Sequence, residues 1–239
     1  MAKAQPFTFH IVTLFPEAFA SYFDASIIGR ALKEKKIRVQ FYNPRDFAER
    51  PKGKMKNEWF YRQVDDKPYG GGPGMVLRAE PFLKAVKKAI GKKKAEIYFF
   101  DAPGEQFTNA EARALAKKKT HDLVLICGRY EGIDARVWKS LKAKRVSVGP
   151  YTLTGGELPA MLVVDAVSRQ IPGVLGKFES VEEERVASTE VYTRPEVLAW
   201  GGKKYKVPAV LLSGNHAKIT EWRKVSGQGA RRGIPKKGD

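Results

Sequence analysis

The stretch from Glu96 to Ile126, EIYFFDAPGEQFTNAEARALAKKKTHDLVLI, contains two short apolar runs separated by a helical pattern. The runs EIYFF and DLVLI are bounded by polar or turn residues, which is typical of strands that are buried on both faces. Between them, NAEARALAKKK is rich in alanine, with an acid near its start and lysines at its end, as a helix favours. The stretch therefore predicts two strands of a parallel sheet joined by a helix.

The same alternation extends in both directions along the chain. Segments rich in β-branched and aromatic residues predict further strands, and segments with apolar residues at helical spacing predict further helices. The sequence thus indicates an α/β fold whose parallel sheet is covered by helices on both faces. The strands are expected at 7–15, 37–43 and 145–149, and the helices at 26–36, 81–90, 135–144 and from Leu158 to Gln170.

The character of the sequence changes after Gly176. The segment KFESVEEERVASTEV, residues 177–191, is acidic and poor in large apolar residues, so it reads as a linker. Residues 192–239 then predict a small, mainly helical unit with one clear helix near His216–Val225. We therefore expect a main domain at 1–176, a linker at 177–191 and a small domain at 192–239, without internal repeats.

The composition indicates a polyanionic partner. The 239 residues include 44 Lys+Arg and 26 Asp+Glu, a formal net charge of +18, with a sequence pI near 9.9. A lysine-coated surface is the simpler alternative. However, a large folded anion fits the wide spread of the basic clusters better than a single phosphate does. The clusters lie at 50–56, 87–94, 117–119, 139–145, 203–206 and 231–237.

Cysteine and histidine are rare, and no segment is expected to cross a membrane. Cys127 is the only cysteine, so no intrachain disulfide can form, and a composition of one cysteine and three histidines argues against a zinc site of the His/Cys type. The first apolar stretch is short and is broken by Pro16 and Glu17. We expect no metal site, no membrane contact and a cytoplasmic location.

A glycine-rich stretch at Val64–Met75, VDDKPYGGGPGM, raises the question of a phosphate loop. No GK[ST] sequence follows it, and no strand leads into a G-x-G-x-x-G fingerprint, so the common nucleotide loops are excluded. Asp65 and Asp66 would also repel a phosphate. The glycines suit either a simple turn or a loop that lets a base or another backbone approach closely.

Two further loops follow predicted strands, where ligands gather in open α/β sheets. LICGRYEGID, residues 125–134, has two glycines around Arg129, Tyr130 and Glu131, although a turn with a surface ion pair would also explain it. SVGPYTLTGGELPAM, residues 147–161, could wrap a flat heterocycle with backbone groups and apolar contacts. Asp165 and Arg169 are spaced i and i+4 on the next helix, a spacing that an ordinary ion pair also has.

Taken together, these segments resemble one family. DDKPYGGGPGM, CGRYEGID, TGGELPAMLVVDAVSR, IPGVLG, YTRPEV and LLSGNHAKI occur in the order and spacing of the bacterial tRNA (guanine-N1)-methyltransferases of the SPOUT superfamily. The resemblance covers nearly the whole chain. It implies a SPOUT-type α/β domain with a deep trefoil knot, a homodimer, tRNA as substrate and S-adenosylmethionine as methyl donor. The residues that it assigns to the cofactor are Phe99, Phe100, Asp101, Pro103, Gly128, Arg129, Tyr130, Glu131, Gly132, Ser147, Val148, Gly149, Tyr151, Leu153, Gly155 and Gly156.

The implied reaction is methylation of guanine N1 at the nucleotide 3′ of the anticodon. Because N1 carries a proton, a general base is needed, and a cationic donor at O6 would stabilise the charge that develops. The resemblance assigns the donor to Arg169 and the base to Glu184, with Glu183 and Glu182 as alternatives; Mg²⁺ stays open as an additional ion. The residues expected to contact tRNA are Asp65, Tyr69, Asp165, Arg194, Asn215, His216 and Arg223.

Two alternative functions remain at this point. One is a SPOUT methyltransferase that acts on another RNA position, and the other is a basic RNA-binding protein that has lost catalysis. The second alternative rests on departures from the family pattern. Asp101 stands where the family usually has serine, Pro150 replaces an aspartate, and a glutamate occupies the position of the base.

Overall fold

The computed structural model describes residues 5–49, 62–118, 120–175 and 190–229, except that the side chains of residues 226–229 are not described. The chain divides into two compact units, Met1–Gly176 and Lys177–Asp239.

The first unit alternates strands and helices along most of its length. Short 3-10 turns at Pro16–Phe19 and Pro44–Phe47 follow the first two strands. The elements in chain order are β1 (Phe7–Val12), α1 (Ala20–Phe23), α2 (Ser26–Lys33), β2 (Ile37–Tyr42), β3 (Asp65–Asp66), β4 (Val76–Leu77), α3 (Ala79–Ile90), β5 (Glu96–Gln106), α4 (Asn109–Lys117), β6 (Asp122–Ile126), α5 (Arg136–Leu141), β7 (Lys144–Ser147) and α6 (Glu157–Ser168).

A five-stranded sheet forms the centre of this unit, in the order β2-β1-β6-β5-β7. Every neighbouring pair is parallel, for example β1 with β6 through Thr8 opposite Asp122 and Val12 opposite Ile126. The expected α/β class with a parallel sheet is confirmed. Since all five strands run the same way, the loops that follow them lie at one edge of the sheet and the loops that precede them lie at the other.

Alternating side chains of the central strands enter two separate cores. Phe9, Ile11 and Leu125 belong to a cluster that also contains residues of α2, α4 and α6. Val12 and Ile126 point the other way, into a cluster with residues of α3 and α5. This period of two explains why DLVLI is apolar at nearly every position: β6 is buried on both faces along its whole length.

The strand β5 differs from its prediction. It extends from Glu96 to Gln106, well beyond EIYFF, and several of its residues are partly exposed rather than fully buried. Its pairing with β7 is interrupted between Phe100 and Glu105. Gly104 lies so close to β7 that a Cβ there would be 2.6 Å from the backbone nitrogen of Val146. The register shift leaves residues 101–104 as a bulge without paired partners on β7, although Gly104 stays in close contact with that strand.

The second unit contains a hairpin that the sequence did not predict. The strands β8 (Val197–Trp200) and β9 (Lys203–Lys206) are antiparallel and are joined by Gly201 and Gly202. Both glycines have positive φ, 57° and 75°, as a two-residue hairpin turn requires. The hairpin is an addition to the predicted mainly helical unit, and the sequence did not reveal it because its exposed strands carry no burial pattern.

Two helices complete the second unit, α7 (Ala209–Leu212) and α8 (His216–Gly229). The helix expected near His216–Val225 is therefore present and is slightly longer than predicted. No helix among the described residues of either unit has the length and apolar character that a bilayer crossing requires.

Candidate active site

A cavity of about 210 Å³ lies at the carboxyl edge of the sheet, between the loops that follow β5, β6 and β7. Parallel strands bring these loops together although they are separated by tens of residues in sequence. The cavity is lined by Phe100, Asp101, Ala102, Gly128, Arg129, Tyr130, Glu131, Gly132, Val146, Ser147, Val148, Gly149, Tyr151, Thr152, Leu153, Thr154, Gly155, Gly156 and Pro159.

Most of the residues that the sequence assigned to a cofactor line this one cavity. Phe99 and Pro103 are the exceptions. Phe99 is 6% exposed and packs into the core with Val124 and Ile126, while its neighbour Phe100 reaches the cavity. Strand alternation explains the difference, because adjacent residues of β5 point to opposite faces.

Backbone contacts hold the loop after β6 against the loop after β7. The amide of Gly156 donates to the carbonyl of Gly128 at 2.9 Å, and Arg129 forms a β-bridge with Gly155. A Cβ on Gly156 would lie 2.5 Å from the Cα of Cys127, closer than any side chain allows. Glycine is therefore required at 156 for the two loops to meet.

Arg129 is anchored by a buried carboxylate. Its Nε lies 3.0 Å from Oε2 of Glu157, in ion-pair contact without the angle of a hydrogen bond. The other carboxylate oxygen, Oε1, accepts a 2.8 Å hydrogen bond from the hydroxyl of Thr13, just after β1. The Arg129 guanidinium also stacks over Phe15, 4.7 Å from the ring centre. A positive group is thus fixed in the cavity wall.

A second ion pair at the cavity joins Asp101, a lining residue, to Arg145. The guanidinium of Arg145 contacts Oδ2 of Asp101 through Nε at 2.6 Å and through Nη2 at 2.5 Å. It also lies over Trp138, 5.1 Å from the ring centre. The carboxylate that departs from the family pattern therefore has a partner of opposite charge at the cavity.

The segment between β7 and α6 is held by its own side chains. The hydroxyl of Ser147 donates to the carbonyl of Gly149 at 3.0 Å, and the hydroxyl of Tyr151 donates to the carbonyl of Val148 at 3.1 Å. The Tyr151 ring lies where a Cβ on Gly149 would be, 2.2 Å from the nearest ring carbon. The glycine thus lets an aromatic ring fold back over the loop.

The glycine-rich loop lies beside the same site. It joins β3 to β4, and Gly70, Gly71, Gly72 and Gly74 all have positive φ, so they turn the chain. The amide of Glu131 donates to the carbonyl of Met75 at 3.1 Å. A Cβ on Gly74 would lie 2.6 Å from the Glu131 carboxylate. The loop thus contacts a cavity residue, while Tyr69 at its tip is fully exposed.

Asp165 and Arg169 lie on an outer stripe of α6 rather than in the cavity. Tyr22 donates a hydrogen bond to Oδ2 of Asp165. That bond, burial and the carboxylate charge raise the pKa of Tyr22 to about 12, and the nearby charge of Arg169 opposes the shift. At 1.5 Å per residue, Arg169 is about 18 Å along the helix from the cavity end of α6.

The remaining predicted residues do not meet at this cavity. Glu182, Glu183 and Glu184 lie outside the described residues. In the second unit, Arg194, His216 and Arg223 are exposed, and the side-chain oxygen of Asn215 accepts from the amide of Lys218 at 3.2 Å, capping the first turn of α8. A depression of about 690 Å³ beside α8 is lined by residues of that helix alone, so it is an open surface depression rather than an enclosed pocket.

Several cavity residues were not among those named individually from the sequence. They are small or apolar, and nothing in their residue type marks them as ligand contacts. Glu157 and Thr13 were also missed, although both stand directly after a strand or at the start of a helix, where such anchors occur. Within the described part of the chain, no three metal-ligating side chains cluster together. The lining residues not named individually are Ala102, Val146, Thr152, Thr154 and Pro159.

Comparisons with known proteins agree on one family. The profile of "tRNA (Guanine-1)-methyltransferase TrmD" matches residues 7–234. A tRNA (guanine-N(1)-)-methyltransferase of Dictyoglomus turgidum is 44% identical over 218 residues, which cover 90% of this chain and 82% of the relative. The corresponding protein of Clostridioides difficile is 41% identical over 223 residues, 90% of each chain.

The fold is similar to that of a tRNA methyltransferase of known structure. The crystal structure of tRNA (m1G37) methyltransferase from Aquifex aeolicus superposes with a TM-score of 0.74 and 35% sequence identity. The superposition covers 95% of this chain and 92% of that one. The chain belongs to the tRNA (guanine-1)-methyltransferase TrmD family.

Proposed function

We propose that the protein transfers a methyl group from S-adenosylmethionine to N1 of the guanine at position 37 of tRNA, 3′ of the anticodon. The observation that carries the proposal is the cavity at the carboxyl edge, which is built from CGRYEGID and TGGELP, two motifs of the family. The relatives' names give the reaction, and the basic composition suits an RNA substrate.

The cavity residues fit the proposed cofactor. Backbone groups of 128–132 and 147–156 surround the space and can hydrogen-bond an adenine edge, while Val146, Leu153 and Pro159 supply apolar surface. Gly155 and Gly156 leave no room for side chains between the loops. When bound, S-adenosylmethionine supplies an electrophilic methyl group on a sulfonium. The protein's part is to orient it toward the guanine.

The protein must also move a proton, since N1 of neutral guanine has no free lone pair. We assign the base to Glu184, which lies outside the described residues, on the family resemblance alone. A glutamate with an ordinary pKa near 4.3 is a weak base for this proton, so a cation at O6 must stabilise the anion that forms. Arg169 is the residue assigned to O6.

A homodimer is proposed because Arg169 and the cavity are at opposite ends of α6 in one chain. Leu158, Leu162, Asp165 and Arg169 follow i, i+4, i+7 and i+11, which forms one stripe along the helix. Leu158 is 61% exposed and Leu162 is 42% exposed. If this stripe packs antiparallel against the same stripe of a second copy, Arg169 of that copy reaches the cavity end of α6.

The second unit is proposed to bind tRNA. On one face of the hairpin, Leu198, Trp200 and Tyr205 are exposed next to Lys203. Aromatic rings stack on bases and lysines attract phosphates, so this face suits single-stranded RNA. Arg194, His216 and Arg223 are exposed in the same unit and remain proposed contacts, as Tyr69 and Asp65 do near the cavity.

Three further assignments rest on the family resemblance. They are the deep trefoil knot formed by the loops around the cavity, the role of residues 177–191 as a linker, and the cytoplasm as the compartment where the tRNA substrate occurs. Mg²⁺ remains an open assisting ion. Each is kept as part of the proposal.

The decisive experiment supplies S-adenosylmethionine with a labelled methyl group and tRNA transcripts that carry guanosine or adenosine at position 37. We expect label only in the guanosine transcript, mapped to N1 of that nucleotide, and no label with the Glu184→Gln variant. Label at another nucleotide would indicate a different RNA site. Absence of both label and cofactor binding would favour an RNA-binding protein without catalysis.

A further inference from the structure

Lysines gather at the edge of the sheet opposite to the cavity. Because all five strands are parallel, the loops that precede β2, β5, β6 and β7 lie side by side at this edge. The described residues of these loops and of the helix turns before them include ten exposed lysines. We call this the amino-edge lysine surface, and it comprises the lysines of 33–36, 92–94, 117–118 and 139–142.

Contacts between the loops show that these clusters are neighbours. The ammonium of Lys93, before β5, lies 3.5 Å from the carboxylate of Asp122, which starts β6. The ammonium of Lys118, before β6, lies 2.6 Å from the carboxylate of Glu96, which starts β5. Strands are spaced about 4.8 Å apart, so the surface from β2 to β7 is about 19 Å wide.

The positive charge of this edge is not balanced locally. The described residues that start the strands or lie in these loops include three carboxylates, Glu34, Glu96 and Asp122. Asp122 is buried and also contacts Nε2 of His10 at 2.8 Å. The carboxyl edge is different, because there Arg129, Arg136 and Arg145 each pair with a carboxylate. Among the described residues, the amino edge thus carries ten lysines against three carboxylates.

Two simpler explanations account for only part of this surface. Lysines in a last helical turn interact favourably with the helix dipole, which explains Lys33, Lys117 and Lys139. Lys36, Lys92 and Lys94 lie beyond the helix ends. A coat of lysines that only keeps a protein soluble would be spread over the surface and mixed with acids.

We propose that the amino-edge lysine surface binds phosphates of the tRNA substrate that lie outside the anticodon stem-loop. This inference rests on the proposed function. The proposed function places one nucleotide and the cofactor at the cavity, whereas a six-residue strand such as β1 separates the two edges of the sheet by only about 20 Å. A folded tRNA is much larger than that distance, so its other arms extend past the cavity. A wide surface of exposed ammonium groups fits a phosphate backbone without reading its sequence.

The test variant replaces Lys92, Lys94 and Lys142 with glutamine, and a companion variant replaces the same three with arginine. These lysines follow α3 and α5, which pack on the sheet face opposite to α6, so they lie away from the proposed contact between two copies. A charge-matched control replaces Lys67, Arg78 and Lys84 with glutamine, because the first two flank the glycine-rich loop beside the cavity and Lys84 lies on α3, the helix that follows. Two RNAs are compared, the full-length tRNA transcript and its isolated anticodon stem-loop. The dissociation constants are measured over a range of salt concentrations, and single-turnover methylation is followed with both RNAs.

We expect the glutamine triple variant to bind full-length tRNA about 10-fold more weakly near physiological salt, with a salt slope smaller by about 2 to 3. Its affinity for the stem-loop and its methylation rate at saturating RNA should equal those of the wild type. The arginine variant should keep wild-type affinity, because the charge is retained. The control variant should weaken the affinity for full-length tRNA and the affinity for the stem-loop by the same factor.

Two results would overturn the inference: unchanged affinity of the glutamine variant for full-length tRNA, or an equal loss with both RNAs. The first would mean that the surface does not touch the substrate. The second would locate the contact within the anticodon arm. Failure of the wild type to methylate either RNA would instead refute the proposed function, so the two failures are distinguishable.

Discussion

The guanidinium of Arg129 and the carboxylate of Glu157 lie 3.0 Å apart in the cavity wall, although 28 positions separate them in sequence. The carboxylate is buried, and its other oxygen accepts from Thr13. The pair therefore ties the start of α6 to the loop after β6 and to the end of β1. Loss of its charge should loosen three elements of the site together.

Glu157→Gln is expected to lower both stability and cofactor affinity. Glutamine can still accept from Thr13, but Arg129 loses its counter-charge. Removing one partner of a buried pair costs about 3–5 kcal/mol, and the partial exposure of Arg129 reduces this to about 1–3 kcal/mol. Chemical denaturation and calorimetric titration of S-adenosylmethionine would measure the two effects. Glu105→Gln, at a carboxylate that is 76% exposed, should leave both unchanged.

Gly156→Ala should disrupt the meeting of the two cavity loops. The added Cβ would lie 2.5 Å from the Cα of Cys127, which is backbone and cannot rotate away. We expect a loss of at least about 2 kcal/mol of stability and cofactor binding too weak to titrate. Gly128→Ala is the milder control, since its Cβ would be 3.3 Å from the flexible Ile133 side chain. Equal effects of the two changes would contradict the steric argument.

Leu162→Glu should separate the proposed dimer. It introduces a charge into the middle of the exposed stripe of α6, where packing against a second copy would bury it. Analytical ultracentrifugation should report the monomer mass, and methyl transfer should fall by at least about 100-fold because Arg169 is then absent from the cavity. The matched control is Ile27→Glu, at a residue of α2 that is 38% exposed. It should change neither the mass nor the rate of methyl transfer. A wild-type protein that is already monomeric would refute the dimer.

Trp200→Ala should weaken tRNA binding without affecting the cofactor. Loss of one base stacked on an aromatic ring costs about 1–3 kcal/mol, a change of about 5- to 150-fold in the dissociation constant. Filter binding with the full-length transcript would detect it. Val197 lies on the opposite face of the same hairpin, so Val197→Ala should bind tRNA like the wild type. A wild-type affinity of the Trp200 variant would remove this face from the interface.

Tyr22 should make the stability of the protein depend on pH in the alkaline range. Its pKa is raised from 10 to about 12 by the hydrogen bond to Asp165, so the folded protein holds the proton more tightly than the unfolded chain does. The associated stabilisation is complete below pH 10 and is lost as the pH rises through 12. Denaturation midpoints at several pH values should fall less steeply over this window for Tyr22→Phe than for the wild type.

The sequence predicted the sheet and the position of the cavity well. EIYFF, DLVLI and RVSVG are short apolar runs between helices, and the ends of parallel strands must share an edge, so the three loops had to converge. The sequence could not show that Phe100 rather than Phe99 lines the cavity, because the pleat of the strand decides which of two adjacent aromatic residues points to the core. The distance between Arg169 and the cavity depends on where α6 begins, and the sequence did not show that the cavity lies at the start of this helix.

Contacts between distant segments were beyond the reach of sequence patterns. The pairing of Glu157 with Arg129 and Thr13 depends on how three loops meet, and no periodicity encodes it. The hairpin of the second unit was missed because all of its strand residues are exposed, so the alternation of polar and apolar residues that marks a buried strand is absent. Its Gly-Gly turn was the only available signal.

The close contact of Gly156 with Cys127 gives the protein a natural chemical probe. Cys127 is the single cysteine of the chain and is fully buried, and burial raises the pKa of its thiol well above the ordinary value. A thiol reagent can reach it only after the loop over it has lifted. The alkylation rate of the unmodified protein therefore reports how often this loop opens, and slower alkylation with S-adenosylmethionine would report binding of the cofactor without any introduced label.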